Sequence, residues 1–126
     1  MITNADVTLY HQMYDTATKK TTYKKTVIQD VSWYASFGIA AGNAGMVGKE
    51  IFKIRIPPEA LADGTSALDS YGSDWVVGNK DYFCRGEGPD IEKPSDLEKI
   101  NVRYAQVCSW SDNRRGGLPH IRIEGW

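Results

Sequence analysis

Apolar and polar side chains alternate along much of the 126-residue chain. Val7 and Leu9 share one parity within residues 6–14, and Phe52 and Ile54 do the same within residues 49–56. Because successive side chains of a β-strand point to opposite faces, a period of two predicts strands with one buried face. Most of the chain is therefore expected to fold as β-structure.

The alternating segments number six or seven, and no strand–helix–strand spacing separates them. Single-faced strands of this kind bury their apolar sides by closing into a barrel or by stacking two sheets. We therefore predict an all-β fold: a small antiparallel β-barrel or sandwich of six or seven strands, with long loops and one short helix, forming a single domain over residues 1–126. The side chains expected in its core are Val7, Leu9, Trp33, Phe52, Ile54, Trp75, Tyr104 and Trp110.

Local signals mark where the strands bend and stop. Gln29-Asp30 interrupts an alternating segment and predicts a bulge, while Pro57-Pro58 predicts a strand end. Residues 59–62 have weak helical potential, and residues 75–84 are typical of a hairpin that turns at residues 78–81. Pro94-Ser95, followed by Glu98, predicts a helix start with a capping box.

The segment from Gly38 to Gly48 is rich in Gly and Ala and carries no charge. Such a segment has too little side-chain volume to build a core of its own and tolerates many backbone conformations. We predict a flexible loop at residues 38–48. A loop that becomes ordered only against a partner is the alternative interpretation.

Charge and composition limit the classes of function. A formal net charge of -1 excludes a globally basic nucleic-acid coat and a polyanionic tail. No apolar run approaches the roughly 20 residues of a membrane-spanning helix, the start does not resemble a signal peptide, and Cys84 and Cys108 are too few for a disulfide scaffold. These features predict a soluble protein of a reducing cytosol.

Opposite charges concentrate in two parts of the chain. Five acids against two lysines give residues 87–99 a balance of -3, and four arginines against two acids give residues 103–126 a balance of +2. Patches of opposite sign allow copies of one chain to associate head to tail.

No motif predicts a reaction centre. His11, His120, Cys84 and Cys108 lack the close spacing of zinc ligands, and no glycine-rich segment ends as a phosphate loop does. We therefore predict no enzyme, no catalytic residue, no metal and no cofactor. The enzymatic alternative is a small hydrolase that uses Cys108 or Ser109 with His120 and Asp112.

A binding module is a further alternative. Basic and aromatic residues interleave at Lys19, Lys20, Lys24 and Lys25 around Tyr23, which is a pattern of single-strand binders. In that interpretation, a β-barrel grips an oligonucleotide or a carbohydrate through exposed tyrosines. The tyrosines concerned are Tyr10, Tyr14, Tyr23 and Tyr34.

Four segments together resemble a family of small structural proteins from prophages and tailed phages of Gram-positive bacteria. They read MITNADVTLY at residues 1–10, IFKIRIP at 51–57, WVVGNKDYFCRG at 75–86 and SDNRRGGLPHI at 111–121. Their order along the chain is also similar to that of head-closure, or stopper, proteins of the phage neck.

The resemblance implies a non-enzymatic subunit of a head-to-tail connector, made in the host cytoplasm and located in the neck of the virion. It implies a homo-oligomeric ring whose partners are portal or adaptor proteins and tail-terminator or tail-tube proteins. DNA could pass through such a ring without sequence-specific binding, and no membrane is involved. A tail terminator or a minor capsid protein is the alternative within this class.

Docking in such an assembly is expected at loops on a rigid scaffold, with arginine and aromatic side chains as anchors. The residues predicted to bind partners are Arg114, Arg115, Trp126, Gly42 and Met46.

Overall fold

Eight β-strands carry most of the chain in the computed structural model. The structure describes residues 3–42, 45–100, 103–115 and 117–126, and over residues 36–42 and 45–50 it describes the backbone alone. The strands are β1 (Ala5–Asp15), β2 (Lys20–Gly42), β3 (Gly45–Ile56), β4 (Leu61–Ala62), β5 (Thr65–Ser66), β6 (Tyr82–Arg85), β7 (Tyr104–Asn113) and β8 (His120–Gly125). The helices are α1 (Ala67–Ser70) and a 3₁₀ helix (Pro94–Ile100).

Six of the strands close into an antiparallel barrel. Their order is β1-β6-β7-β8-β3-β2, and β2 returns to β1. The short β4–β5 hairpin extends the sheet from β2 outside this ring. The prediction of a small all-β antiparallel fold with one short helix is confirmed, and the barrel is the form that it takes.

The barrel interior holds the main core. The Trp33 ring lies 5.4 Å from that of Phe52 and 5.5 Å from that of Phe83, measured between centroids. A second cluster, Tyr10, Cys84, Ile91 and Leu97, lies under the 3₁₀ helix. Six of the eight predicted core side chains are buried: Val7, Leu9, Trp33, Phe52, Ile54 and Trp75.

The other two predictions, Tyr104 and Trp110, fail on β7, which contains a bulge between them. Val107 pairs with Gly125 and Ser109 with Glu124, so that Cys108 is an extra residue on β7. The buried parity of β7 is that of Ala105 and Val107; Tyr104 is only half-buried and Trp110 is 39% exposed. Tyr104 precedes the bulge and lies on the parity opposite to Ala105 and Val107. The extra residue separates it from Trp110, which pairs with the buried Ile123 and is still 39% exposed.

The bulge predicted at residues 29–30 is confirmed. Ala5 pairs with Val31 and Val7 with Ile28, so β2 has one residue more than β1 across this interval. Asp30 adopts a left-handed φ of 63°, and its N–H donates to Asp6 Oδ1 at 3.1 Å.

The segment predicted as a flexible loop, residues 38–48, forms the end of the β2–β3 hairpin, and its described residues are paired strand and not loop. Pairs from Gly38 with Lys49 to Gly42 with Gly45 continue the antiparallel ladder between β2 and β3. Ladder hydrogen bonds join backbone groups, so a run of Gly and Ala can continue a register that Trp33 and Ile54 have already set. The residues between Gly42 and Gly45 lie outside the described part.

Two other local predictions are corrected by pairing. Residues 61–66 form the β4–β5 hairpin and not a helical turn, because Asp63 (φ 51°) and Gly64 (φ 88°) make a tight left-handed turn. Residues 75–77 are not a hairpin partner of β6, because β1 and β7 occupy both edges of that strand.

Of the two remaining local predictions, the strand end is confirmed, and the helix forms with a cap other than the predicted pair of Ser95 and Glu98, since Glu98 Oε1 accepts from the Tyr104 hydroxyl at 3.2 Å. β3 ends at Ile56, directly before Pro57-Pro58. The predicted helix is the 3₁₀ helix, where Asp96 Oδ2 accepts from the N–H groups of Glu92 (3.1 Å) and Lys93 (3.3 Å).

Candidate interaction surfaces

β2 and β3 continue beyond the barrel as a two-stranded arm. β8 pairs with β3 only from Phe52 to Ile56, and the ladder from β1 along β2 stops at Val31. Residues 36–42 and 45–51 pair with each other and with no other strand of the described chain; we call these two segments the arm. At about 3.4 Å per residue, the arm extends about 24 Å.

Asn4 fixes the point where β2 leaves the barrel. Its Oδ1 accepts from the Trp33 N–H at 2.7 Å, and its Nδ2 donates to the Trp33 carbonyl oxygen at 2.8 Å. The side-chain amide of Asn4 thus takes the place of one more strand residue beside Trp33. Beyond Trp33, no strand of the described chain covers this edge of β2.

Two of the predicted partner-binding residues lie at the far end of the arm. Gly42 pairs with Gly45, and Met46 pairs with Ala41. The structure describes the backbone of both residues, and the Met46 side chain lies outside the described part. Their position on a projecting ribbon is compatible with the predicted role in docking.

Arg114 is held within its own chain. Its Nε and one terminal nitrogen donate to the two carboxylate oxygens of Asp112, each at 2.8 Å. The other terminal nitrogen donates to the carbonyl oxygens of Leu68 (3.1 Å) and Tyr71 (3.3 Å), and the guanidinium lies 4.9 Å from the Tyr71 ring centroid. These hydrogen bonds lower the pKa of Asp112 and raise that of Arg114. Arg114 therefore fastens the end of α1 to the turn between β7 and β8.

A cleft of about 920 Å³ borders this network. Arg115 is exposed at its rim, next to the fastened Arg114. The residues lining the cleft are Pro58, Ser66, Leu68, Asp69, Asp112, Asn113, Arg114, Arg115 and Pro119. Of the two predicted arginine contacts, Arg115 is the one whose side chain extends into solvent.

Trp126 lies at the opposite end of β8 from the two arginines. Its backbone pairs with Gln106, and the preceding Gly125 pairs with Phe52, where β3 leaves the barrel. The Trp126 side chain is 50% exposed. The structure thus places Trp126 near the base of the arm and the arginines about 17 Å away along β8.

A hydrogen bond between side chains, which the sequence did not predict, joins β1 to the segment before β6. The Asp81 carboxylate, 2% exposed, accepts from His11 Nδ1 (2.8 Å), from the Gly78 N–H (2.8 Å) and from the Gln12 N–H (3.0 Å). Seventy positions separate Asp81 from His11, so no local pattern could have found the pair. His11 lines a cleft of about 280 Å³ that also includes Lys24 and Trp75.

The residues of the hydrolase alternative do not meet. Cys108 Sγ donates to the Glu124 carbonyl oxygen at 3.4 Å, whereas His120 contacts Asn113, about 17 Å further along β7. Burial raises the pKa of the Cys108 thiol, which disfavours the reactive thiolate. Within the described residues, no three His, Cys, Asp or Glu side chains converge as metal ligands do.

The tyrosine platform of the binding-module alternative does not form. Tyr10 is fully buried, and its hydroxyl donates to the Pro89 carbonyl oxygen at 2.6 Å. Among the clustered lysines, Lys24 Nζ donates to the Asp74 carbonyl oxygen, and Lys25 lies 4.0 Å from Asp90. Tyr14 and Tyr34 are exposed, but they stand on parts of β1 and β2 that do not pair with each other.

Within the described part of the chain, no helix has the length and apolar character needed to cross a membrane. Comparison with curated proteins and with solved structures gives no match. A family model matches residues 2–126, almost the entire sequence, and its description is a family of unknown function (DUF6751). The chain therefore belongs to the DUF6751 family.

Proposed function

We propose that this chain is a non-enzymatic structural subunit of a tailed-phage or prophage-derived particle. In this role it forms a homo-oligomeric ring at the head-to-tail connection and acts as a head-closure protein. The ring would contact portal or adaptor proteins on one side and tail-terminator or tail-tube proteins on the other. The four sequence segments that resemble phage structural proteins support the choice of particle.

The arm is the observation that carries the proposal. An isolated two-stranded hairpin is marginally stable in water, yet this one projects about 24 Å from a closed barrel. Residues 38–48 carry no charge that would favour solvent. A long ribbon that is uncharged over its outer part gains stability when another protein covers it.

The barrel supplies the rigid body that such a subunit needs. Arg114 binds Asp112, and His11 binds Asp81. These contacts join irregular segments to the strands. The arm and Trp126 lie at one end of β8, and the exposed Arg115 lies towards the other. Two separated contact regions suit a subunit that sits between two neighbouring layers.

Binding to phage particles tests this function. The purified chain is mixed with portal-containing heads or with tail tubes, and cosedimentation is followed by negative-stain electron microscopy. We expect the chain to bind one of these particles as a ring. The matched control replaces residues 39–48 with Asn-Gly, which preserves the Gly38–Lys49 pair and closes the shortened hairpin with a two-residue turn.

The control should keep the barrel and lose binding. A full-length chain that binds neither heads nor tail tubes would contradict the proposal. Equal binding by the shortened chain would show that the arm does not carry the interaction.

A further inference from the structure

The arm has two backbone edges that no strand of the described chain occupies. On β2, the edge facing β1 is open over residues 36–42, beyond the Asn4 contact with Trp33. On β3, the edge facing β8 is open over residues 45–51, because the β8 ladder ends at Phe52. Both edges present a row of N–H and C=O groups able to form a further ladder.

The Asn4 contact also shows which groups face outward. Asn4 binds both the N–H and the C=O of Trp33, so these groups of Trp33 point away from β3. Because the direction of backbone groups repeats every two residues, the N–H groups of residues 37, 39 and 41 face the open edge. Those of residues 38, 40 and 42 face β3.

Over residues 38–48 the arm lacks the features that keep an exposed edge from pairing, and its two charged residues, Lys49 and Glu50, lie at its base. Natural edge strands are commonly protected by charged side chains, by proline or by a bulge. Residues 38–48 contain neither charge nor proline, and the β2–β3 register runs without a shift from Ser32 to Gly42. These edges are therefore suited to receive another strand.

A second copy of this chain is the partner that satisfies both edges. In a ring, rotation about the axis keeps all arms pointing the same way, so β2 of one copy runs antiparallel to β3 of the next. Each copy then offers the strand direction that its neighbour needs, and closure of the ring leaves no open edge. An unrelated partner would have to supply a strand for each side.

We propose that the arms of neighbouring copies pair edge to edge, with β2 of one copy hydrogen-bonded to β3 of the next. The arms of the ring thereby form one closed antiparallel sheet. This inference rests on the proposed ring and specifies how its subunits are joined.

Amide hydrogen exchange measured by NMR tests the pairing on the unaltered full-length chain. In the monomer, the amides of residues 38, 40 and 42 should be protected and those of residues 37, 39 and 41 should exchange rapidly. In the assembled ring, both sets should be protected. Alternating protection that persists in a stable ring would overturn edge pairing while leaving the ring intact, whereas absence of any oligomer would overturn the proposed function as well.

A substitution at one outward-facing amide gives a second test. Ala41→Pro removes an N–H that the β2–β3 ladder does not use, so the monomer should keep its circular dichroism and melting temperature but fail to assemble. Ala41→Ser keeps the N–H and should assemble like the unaltered chain. Assembly of Ala41→Pro at the same protein concentration would contradict the proposal.

Discussion

The buried carboxylate of Asp81 provides the sharpest stability prediction. It is 2% exposed and is the common acceptor for two backbone N–H groups and for His11 Nδ1. These contacts hold β1 against the turn at Gly78. Asp81→Ala removes all three acceptor contacts, whereas Asp81→Asn keeps the shape and one acceptor oxygen.

The cost follows from the number of donors left without an acceptor. A donor left without an acceptor costs about 1–3 kcal/mol, so we expect Asp81→Ala, which removes the acceptor of two backbone N–H groups and of His11, to cost about 2–6 kcal/mol. In Asp81→Asn, the remaining oxygen can still accept from Gln12, but an amide nitrogen then faces the Gly78 N–H. One buried N–H without an acceptor costs about 1–3 kcal/mol.

Urea unfolding followed by tryptophan fluorescence measures both losses. Asp74→Asn is the matched control, because Asp74 is exposed in the neighbouring segment and its replacement should change the free energy of unfolding by less than about 0.5 kcal/mol. The reasoning would be refuted if Asp81→Ala unfolded at the same urea concentration as the control.

Three further predictions concern close packing, the contacts of an arginine side chain and the pH dependence of stability. Gly125→Ala should lower the free energy of unfolding by about 1–3 kcal/mol or more, because the Cβ of the new alanine would lie 2.5 Å from the Gln106 carbonyl oxygen. A urea midpoint equal to that of the wild type would contradict this prediction. Arg114→Ala should lower the melting temperature and Arg115→Ala should leave it unchanged; equal melting temperatures would show that the Asp112 and Tyr71 contacts do not matter. Burial raises the pKa of the Tyr10 hydroxyl above its usual value of about 10. The stability that the protonated hydroxyl contributes is therefore fully present below about pH 10 and is lost as the pH rises above it. The stability of Tyr10→Phe, followed by circular dichroism, should therefore fall less steeply than that of the wild type between pH 10 and 12. An alkaline unfolding transition equal to that of the wild type would count against this assignment.

The parts of the fold that alternation predicts are those without an interruption. Leu9, Phe52 and Ile54 lie on strands whose register is regular around them, and all three are buried as expected. The same reasoning fails on β7, where it placed Tyr104 and Trp110 on one buried face although the extra residue at Cys108 separates them and Ala105 and Val107 are the buried residues before it. Sequence alternation shows which residues share a face only as far as the next bulge.

Pairing between distant segments was the other source of error. Composition suggested that residues 75–77 pair with β6, but β6 lies between β1 and β7. The glycines at residues 38–48 suggested a loop because their freedom is a local property, whereas the ladder that orders them begins in the barrel. Local signals therefore identified strand ends better than strand partners.

The sequence predicted the candidate interaction surfaces only in part. The expectation that docking residues lie in loops selected Gly42, Met46 and Arg115. The structure places Gly42 and Met46 on the arm and Arg115 at the rim of a cleft. It could not show that Arg114 is fastened to Asp112 and to two carbonyl oxygens more than forty positions away. Nothing in the sequence around Asp81 indicated its contact with His11.

The mass of the protein in solution tests the central claim most directly. Multi-angle light scattering is measured over a range of concentrations for the full-length chain and for the chain whose residues 39–48 are replaced by Asn-Gly. A closed ring predicts that the full-length chain reaches a fixed multiple of 14.1 kDa, while the shortened chain stays at the mass of one subunit. A full-length chain that remains a monomer at every concentration, or a shortened chain that forms the same oligomer, would contradict the account.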